Sequence, residues 1–225
     1  MMKKNLRATI GMFLVFVIYT ILVKFVDVKA IGPEGSSVGF ASLNGKVFEL
    51  TGFSDFWYNL SKILGIAMYA MVGVFAVIGI VQLIKRKSLA KVDKDLYVLA
   101  VFYVAVAVFY VLFDKVIVIN YRPVIFDKGL EVSYPSTHAF LAVSLLCTAA
   151  EQLNRRIKKE GLRILVSNLC IIVMSIIVLG RVLAGCHWLT DIIGGILLGS
   201  TLILVYVTAV SYFCKNVQEM SEQND

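Results

Sequence analysis

Apolar runs and short polar connections alternate six times along this chain. The runs cover residues 8–26, 60–84, 96–119, 137–153, 163–180 and 189–214, against the ~20 residues that a helix needs to cross a bilayer. They are continuously apolar instead of alternating at every second position, so they predict helices and not the strands of a barrel. The pattern therefore predicts an all-α integral membrane fold, a six-transmembrane-helix bundle formed as a single membrane domain over residues 1–225. No internal repeat, low-complexity block or second domain is visible.

The connections refine this picture. The longest, residues 27–59, carries turn signals at Gly32, Pro33, Gly35, Ser36, Ser37 and Asn44-Gly45 and then an aromatic-rich stretch from Val47 to Tyr58. Aromatics just ahead of a span favour the headgroup level, so this first outer loop is expected to be partly interfacial, as a plain aromatic belt or as a lid beside a lipid entry. The first run follows Lys3, Lys4 and Arg7, as a signal peptide would. The residues Asp27-Val28-Lys29-Ala30 offer no small-x-small cleavage site, and a retained anchor is the reading.

Composition excludes an ordinary soluble domain: 59% of residues are hydrophobic, with three prolines in 225 residues and a mean hydropathy of +0.84. The net charge of +7 does not point to nucleic acid, because of where it falls. Lys3, Lys4 and Arg7, then Lys85, Arg86, Lys87, Lys91 and Lys94, then Arg155, Arg156, Lys158, Lys159 and Arg163 occupy the start and every second connection. That is the positive-inside pattern, and it places both termini in the cytoplasm. Cys147, Cys170 and Cys214 lie within apolar runs as packing residues, and Cys186 is the one cysteine beside candidate chemistry.

Three polar islands fall on the opposite, extracytoplasmic side. In the first, Asp114 and Lys115 interrupt an apolar run, which inside a membrane marks a functional site by default. Lys115 and Arg122 are seven residues apart, two turns on one helix face and about 10 Å along the axis, so both can reach one anion. Pro123 ends the helix near Arg122. The alternative is a snorkelling Lys115 paired with Asp114. In the second island, Ser133 to His138, Pro135 marks a helix start and leaves the amides of Ser136, Thr137 and His138 without intrahelical partners. Such an end binds anions, and His138 adds a titratable ring; an ordinary helix start with His138 in water is the plainer reading. In the third, Gly180 to Asp191, a helical frame sets His187 and Asp191 one turn apart on one face, so that the carboxylate can hold one ring nitrogen and leave the other free to attack. Arg181 supplies a planar fork for phosphate oxygens. Taken singly, Arg181 could be an interfacial anchor, His187 a packing residue and Asp191 a helix cap. Downstream, Gly194, Gly195 and Gly199 form a small-residue face suited to packing within the bundle or to a dimer.

Together the three islands resemble the type 2 phosphatidic-acid phosphatase family of membrane lipid phosphatases. Its Lys-x6-Arg-Pro motif is matched by Lys115 through Arg122-Pro123. Its Pro-Ser-Gly-His motif is matched by Pro135-Ser136-Thr137-His138, with Thr137 for glycine. Its Ser-Arg-x5-His-x3-Asp motif is matched by Gly180-Arg181, His187 and Asp191, with Gly180 for serine. The resemblance covers a core of roughly residues 60–214. It implies that His187 is the nucleophile, that Asp191 orients it, and that His138 protonates the departing oxygen, while Lys115, Arg122, Ser136, Thr137 (through its amide) and Arg181 hold the phosphate.

The activity so implied is metal-independent hydrolysis of a lipid phosphomonoester or diphosphate, such as undecaprenyl diphosphate, phosphatidic acid or phosphatidylglycerol phosphate, at a bacterial cell membrane, with no cofactor. A lipid phosphotransferase would use the same phosphohistidine. A different class, a small ion or proton transporter, would route charge through Asp114, Lys115, His138, His187 and Asp191, but the cytoplasmic halves of the helices carry few polar steps. A metal held by His138, His187 and Asp191 would be opposed by Lys115, Arg122 and Arg181.

Overall fold

The computed structural model describes residues 2–127 and 129–222, with side chains described between Asn5 and Phe213. Seven helices follow one another: α1 (Met2–Phe25), α2 (Ala41–Thr51), α3 (Asp55–Arg86), α4 (Lys94–Val111), α5 (Thr137–Arg156), α6 (Glu160–Leu183) and α7 (Leu189–Glu222). Isolated bridges are the extent of β-pairing among the described residues. Most helices run past the apolar segments that announce them. Charged residues such as Lys94, Asp95, Arg155 and Arg156 continue the hydrogen-bonded helix beyond the stretch that composition marks.

Five segments are long and apolar enough to cross a membrane: Asn5–Phe25, Asp55–Arg86, Lys94–Val116, Glu160–Leu183 and Leu189–Phe213. Their outer faces carry exposed Ile10, Ile18, Ile66, Val77, Val101, Val108, Leu165 and Ile172, the reverse of a soluble surface. The chain is a multi-pass membrane protein. Helix α5 differs in kind. It packs against α3, α6 and α7, buries Ala139 through Leu146 almost without interruption, and presents no exposed large apolar residue. Its Thr148 hydroxyl turns back on the helix itself, donating to the Ser144 carbonyl at 2.7 Å. A helix wrapped by protein has no need of a lipid-facing apolar surface, so α5 is the least hydrophobic of the long helices while being the most central.

The glycine face of α7 is spent inside the bundle. A Cβ on Gly194 would lie 2.5 Å from the Tyr134 ring, and one on Gly195 would lie 2.7 Å from the Ser136 carbonyl oxygen. That close approach lets the Ser136 amide donate to the Asp191 carbonyl at 2.8 Å. The beginnings of α5 and α7 are thereby clamped together.

The up-and-down order brings the starts of α3, α5 and α7 to the same end as the finishes of α1, α4 and α6. Ser54 ahead of α3 donates its amide to Ala184 after α6 at 3.1 Å. Gly185, in left-handed conformation at φ +58, lets that turn touch the backbone of Gly52. The long first connection contains α2, which is tied to the start of α7: Asn44 donates to Thr190 Oγ1 at 2.8 Å and accepts from the Thr190 amide at 3.2 Å. Phe48 lies against Trp188 at a ring separation of 5.7 Å. The opposite end carries the ion pairs Arg86–Asp93 and Arg156–Asp95, at 2.7 and 2.8 Å.

Candidate active site

The three islands meet at the end formed by the starts of α3, α5 and α7, in a geometry that differs from the helical one in two places. The first concerns Lys115 and Arg122. Helix α4 stops at Val111, a single wider turn covers Leu112–Val116, and the chain is extended at Ile117. The two residues therefore do not share a helix face. The β-branched run Val116-Ile117-Val118-Ile119 and the constraint of Pro123 both disfavour continued helix. Lys115 pairs with Asp114 at 2.8 Å, and its side chain is 74% exposed; the structure does not bring it beside the histidines. Arg122 sits instead on a short antiparallel ladder, its amide donating to the Glu131 carbonyl at 3.0 Å. Its guanidinium pairs with Glu131 at 3.0 Å and lies over the Phe126 ring at 5.6 Å.

The second difference concerns His187 and Asp191. Helix α7 begins at Leu189, so His187 belongs to the turn before it and the one-turn relation of a continuous helix does not hold. Ser133 stands between the two. Its Oγ donates to Asp191 Oδ2 at 2.5 Å and lies 2.9 Å from His187 Nδ1. Two further donors hold the carboxylate, Asn120 Nδ2 on Oδ1 at 2.9 Å and the Trp188 amide on Oδ2 at 3.0 Å. Asp191 and His187 are buried, at 0% and 4% exposure. Burial, with the charges of Arg122, Arg181 and His138 around it, holds the His187 imidazole well below the ordinary histidine range. The ring is held neutral.

Arg181, at the end of α6, is the largest fully buried side chain among the described residues. A buried guanidinium needs partners. It has the Tyr58 ring at 5.0 Å and Ser61 Oγ at 3.4 Å, both from α3. Gly180 beside it leaves room for that helix, since a Cβ there would lie 3.2 Å from the Ser61 Cβ. The expectation of free amides at the start of α5 is met only in part. The Ser136 amide is spent on Asp191, whereas Thr137 and His138 open the helix. His138 lies alongside Gly65 of α3. Cys186 is fully buried behind Arg181, and its thiol is pushed up mainly by that burial.

Asn120, Ser133, Tyr58 and Ser61 are the neighbours that motif spacing left without a role. Asn120 breaks an apolar run, Ser133 sits inside the second island and Tyr58 ends the aromatic stretch, so these had a local signal; Ser61 had none.

A bundle with apolar outer faces, enclosing at one end two histidines, an aspartate and two arginines, has the make-up of a membrane-embedded phosphatase. Residues 96–215 match the model of the PAP2 superfamily, and the chain belongs to that superfamily. No curated protein of similar sequence was found. In fold the chain is similar to the crystal structure of a transmembrane PAP2-type phosphatidylglycerolphosphate phosphatase from Bacillus subtilis. The TM-score is 0.63 at 18% identity, covering 91% of this chain and 96% of that one.

Proposed function

We propose that this protein is a metal-independent lipid phosphatase that cleaves a phosphomonoester or diphosphate lipid through a phosphohistidine on His187. The observation that carries the reading is a set of buried polar atoms without partners, contributed by separate stretches of chain: Ser136 Oγ, His138 Nδ1, Arg181 Nε and His187 Nε2. Unpaired polar atoms are costly inside a protein, and a tetrahedral phosphate, with acceptor oxygens and an electrophilic centre, would satisfy this set. His187 Nε2 attacks phosphorus in line, the bond to the lipid oxygen breaks, and His138, protonated beside the anionic phosphate, gives that oxygen its proton. Water, passing a proton to the now neutral His138, then attacks phosphorus; the phosphorus–nitrogen bond breaks, its electron pair returns to His187 Nε2, and phosphate leaves. Arg122, Arg181, Ser136 and the Thr137 amide neutralise and position the transferring group, which is most of what phosphoryl transfer asks of a protein. Lys115 joins them when its side chain leaves Asp114.

On this reading residues 1–225 act as one membrane domain with six crossings, α1 and α3 to α7. Both termini are cytoplasmic, and the site faces away from the cytoplasm, opposite the basic residues that gather at the other end. The test is phosphate release by the purified protein in detergent from phosphatidylglycerol phosphate, phosphatidic acid and undecaprenyl diphosphate, with and without chelator. Release that survives chelator, with an acid-labile phosphohistidine trapped on quenching, is expected. Phosphate passed to an added alcohol instead of water would make the protein a phosphotransferase, and no turnover of any of the three lipids would refute the proposal.

A further inference from the structure

We infer that Ser133 is a positioning residue that carries the hold of Asp191 across to His187 and sets which ring nitrogen attacks. This rests on the reading of His187 as nucleophile. The bridge is built from both sides. Ser133 is 2% exposed, and its backbone is fixed by its amide donating to the Asn120 carbonyl at 2.9 Å, within the ladder that also pairs Arg122 with Glu131. The two facing residues of that ladder then grip the carboxylate by their side chains, Asn120 on Oδ1 and Ser133 on Oδ2.

The direction of the bridge follows from what each group can do. A carboxylate only accepts, so the single hydroxyl proton of Ser133 goes to Asp191 Oδ2. The hydroxyl oxygen is then an acceptor toward His187 Nδ1, which must carry the ring proton. Nε2 keeps its lone pair, and Nε2 is the buried, unpartnered nitrogen. As phosphorus bonds to Nε2, positive charge grows on the ring and the Nδ1–H donates more strongly. The hydroxyl passes that polarisation to the carboxylate without any proton leaving the chain of three groups. A hydroxyl thus does here what a direct histidine–carboxylate bond does elsewhere.

The chain contains two histidines, which makes the test direct. Protein labelled with ¹⁵N in the imidazole rings gives two ring spin systems, told apart by a His138→Gln variant. At neutral pH the His187 ring is expected as the Nδ1–H form alone. Ser133→Ala is expected to mix the two forms and to lower kcat about 10–10²-fold, the usual loss when a hydrogen bond that orients a ring is removed. KM should stay within about twofold, since the phosphate contacts are intact, and Ser133→Thr should recover part of the loss. A wild-type ring protonated on Nε2 would reverse the bridge and overturn the inference without any variant. A Ser133→Ala protein in which either the ring form or kcat stays as in wild type would overturn it too, because a packing role moves one without the other. If wild type releases no phosphate from any lipid, the proposed function falls, and the ring form still decides the bridge.

Discussion

The guanidinium of Arg181 lies over the face of Tyr58, 5.0 Å from its centroid. Tyr58 in turn stacks on Phe126 at 5.2 Å and 23°, and Arg122 lies over the far partner of that stack. Two like charges are thus held near one site by an aromatic pair, each offset by the quadrupole of its own ring. Tyr58→Ala removes the face against Arg181, worth about 0.5–2 kcal/mol, and should raise KM for a lipid phosphate by about 2–30-fold with a smaller change in kcat. Tyr58→Phe keeps the face and should behave as wild type. Steady-state kinetics of the two variants check this, and equal losses would mean that the hydroxyl matters instead.

Lys115 and Arg122 open the same motif yet sit in different surroundings, one exposed and ion-paired, the other on the ladder beside the site. Lys115→Ala is expected to cost activity less than Arg122→Gln does, by about tenfold. Side-by-side kcat/KM values decide it. A Lys115→Ala loss as deep as that of Arg122→Gln would mean that the lysine holds the phosphate as firmly as the arginine, despite its pairing with Asp114.

The two histidines should separate by leaving group. General-acid help is typically worth 10²–10⁴-fold, and a good leaving group needs little of it. His138→Ala should therefore be crippled on a lipid phosphomonoester and partly recover on an aryl phosphate that the wild type also turns over, whereas His187→Ala should recover on neither. If His138→Ala loses the same fraction on both substrates, His138 binds phosphate and another group is the acid.

The depressed proton affinity of His187 has a sign. With the folded value below the ordinary 6.5, the ring stays neutral as pH falls through that value, and the nucleophile remains available. Below about 6.5 an unfolded chain takes up a proton that the folded ring refuses, so this group's contribution to stability is present above that pH and is lost as pH falls. The His187 ring signals should hold still in an NMR titration from neutral pH to below 6.5. A midpoint at or above 6.5 would contradict the environment described for it.

Sidedness has its own test. A cysteine introduced at Asp127 should react with an impermeant thiol reagent in intact cells, and one introduced at Lys158 should not. The reverse pattern would invert the proposed topology.

What the sequence determined by itself is what depends on local composition. Helix positions follow from apolar runs, because transfer into lipid is a property of each segment alone, and the start of α5 follows from Pro135. Arg122, His138, and Arg181 with His187 and Asp191 were legible as three islands because the spacing within each motif is short-range and their residue types are costly in a membrane. The tertiary structure decided what lies between them. The end of α4 at Val111 separates Lys115 from Arg122, and the pairing of Asn120 and Arg122 with residues 131–133 sets where the chain goes after the break. That α5 is the enclosed helix follows from its neighbours, not from its hydropathy. The Ser133 bridge spans 54 residues to His187 and 58 to Asp191; the small-residue face of α7 was visible in the sequence, but that Tyr134 and Ser136 are what pack on it was not. Hydrogen bonds of this kind depend on fractions of an ångström between distant segments, and only packing sets those distances.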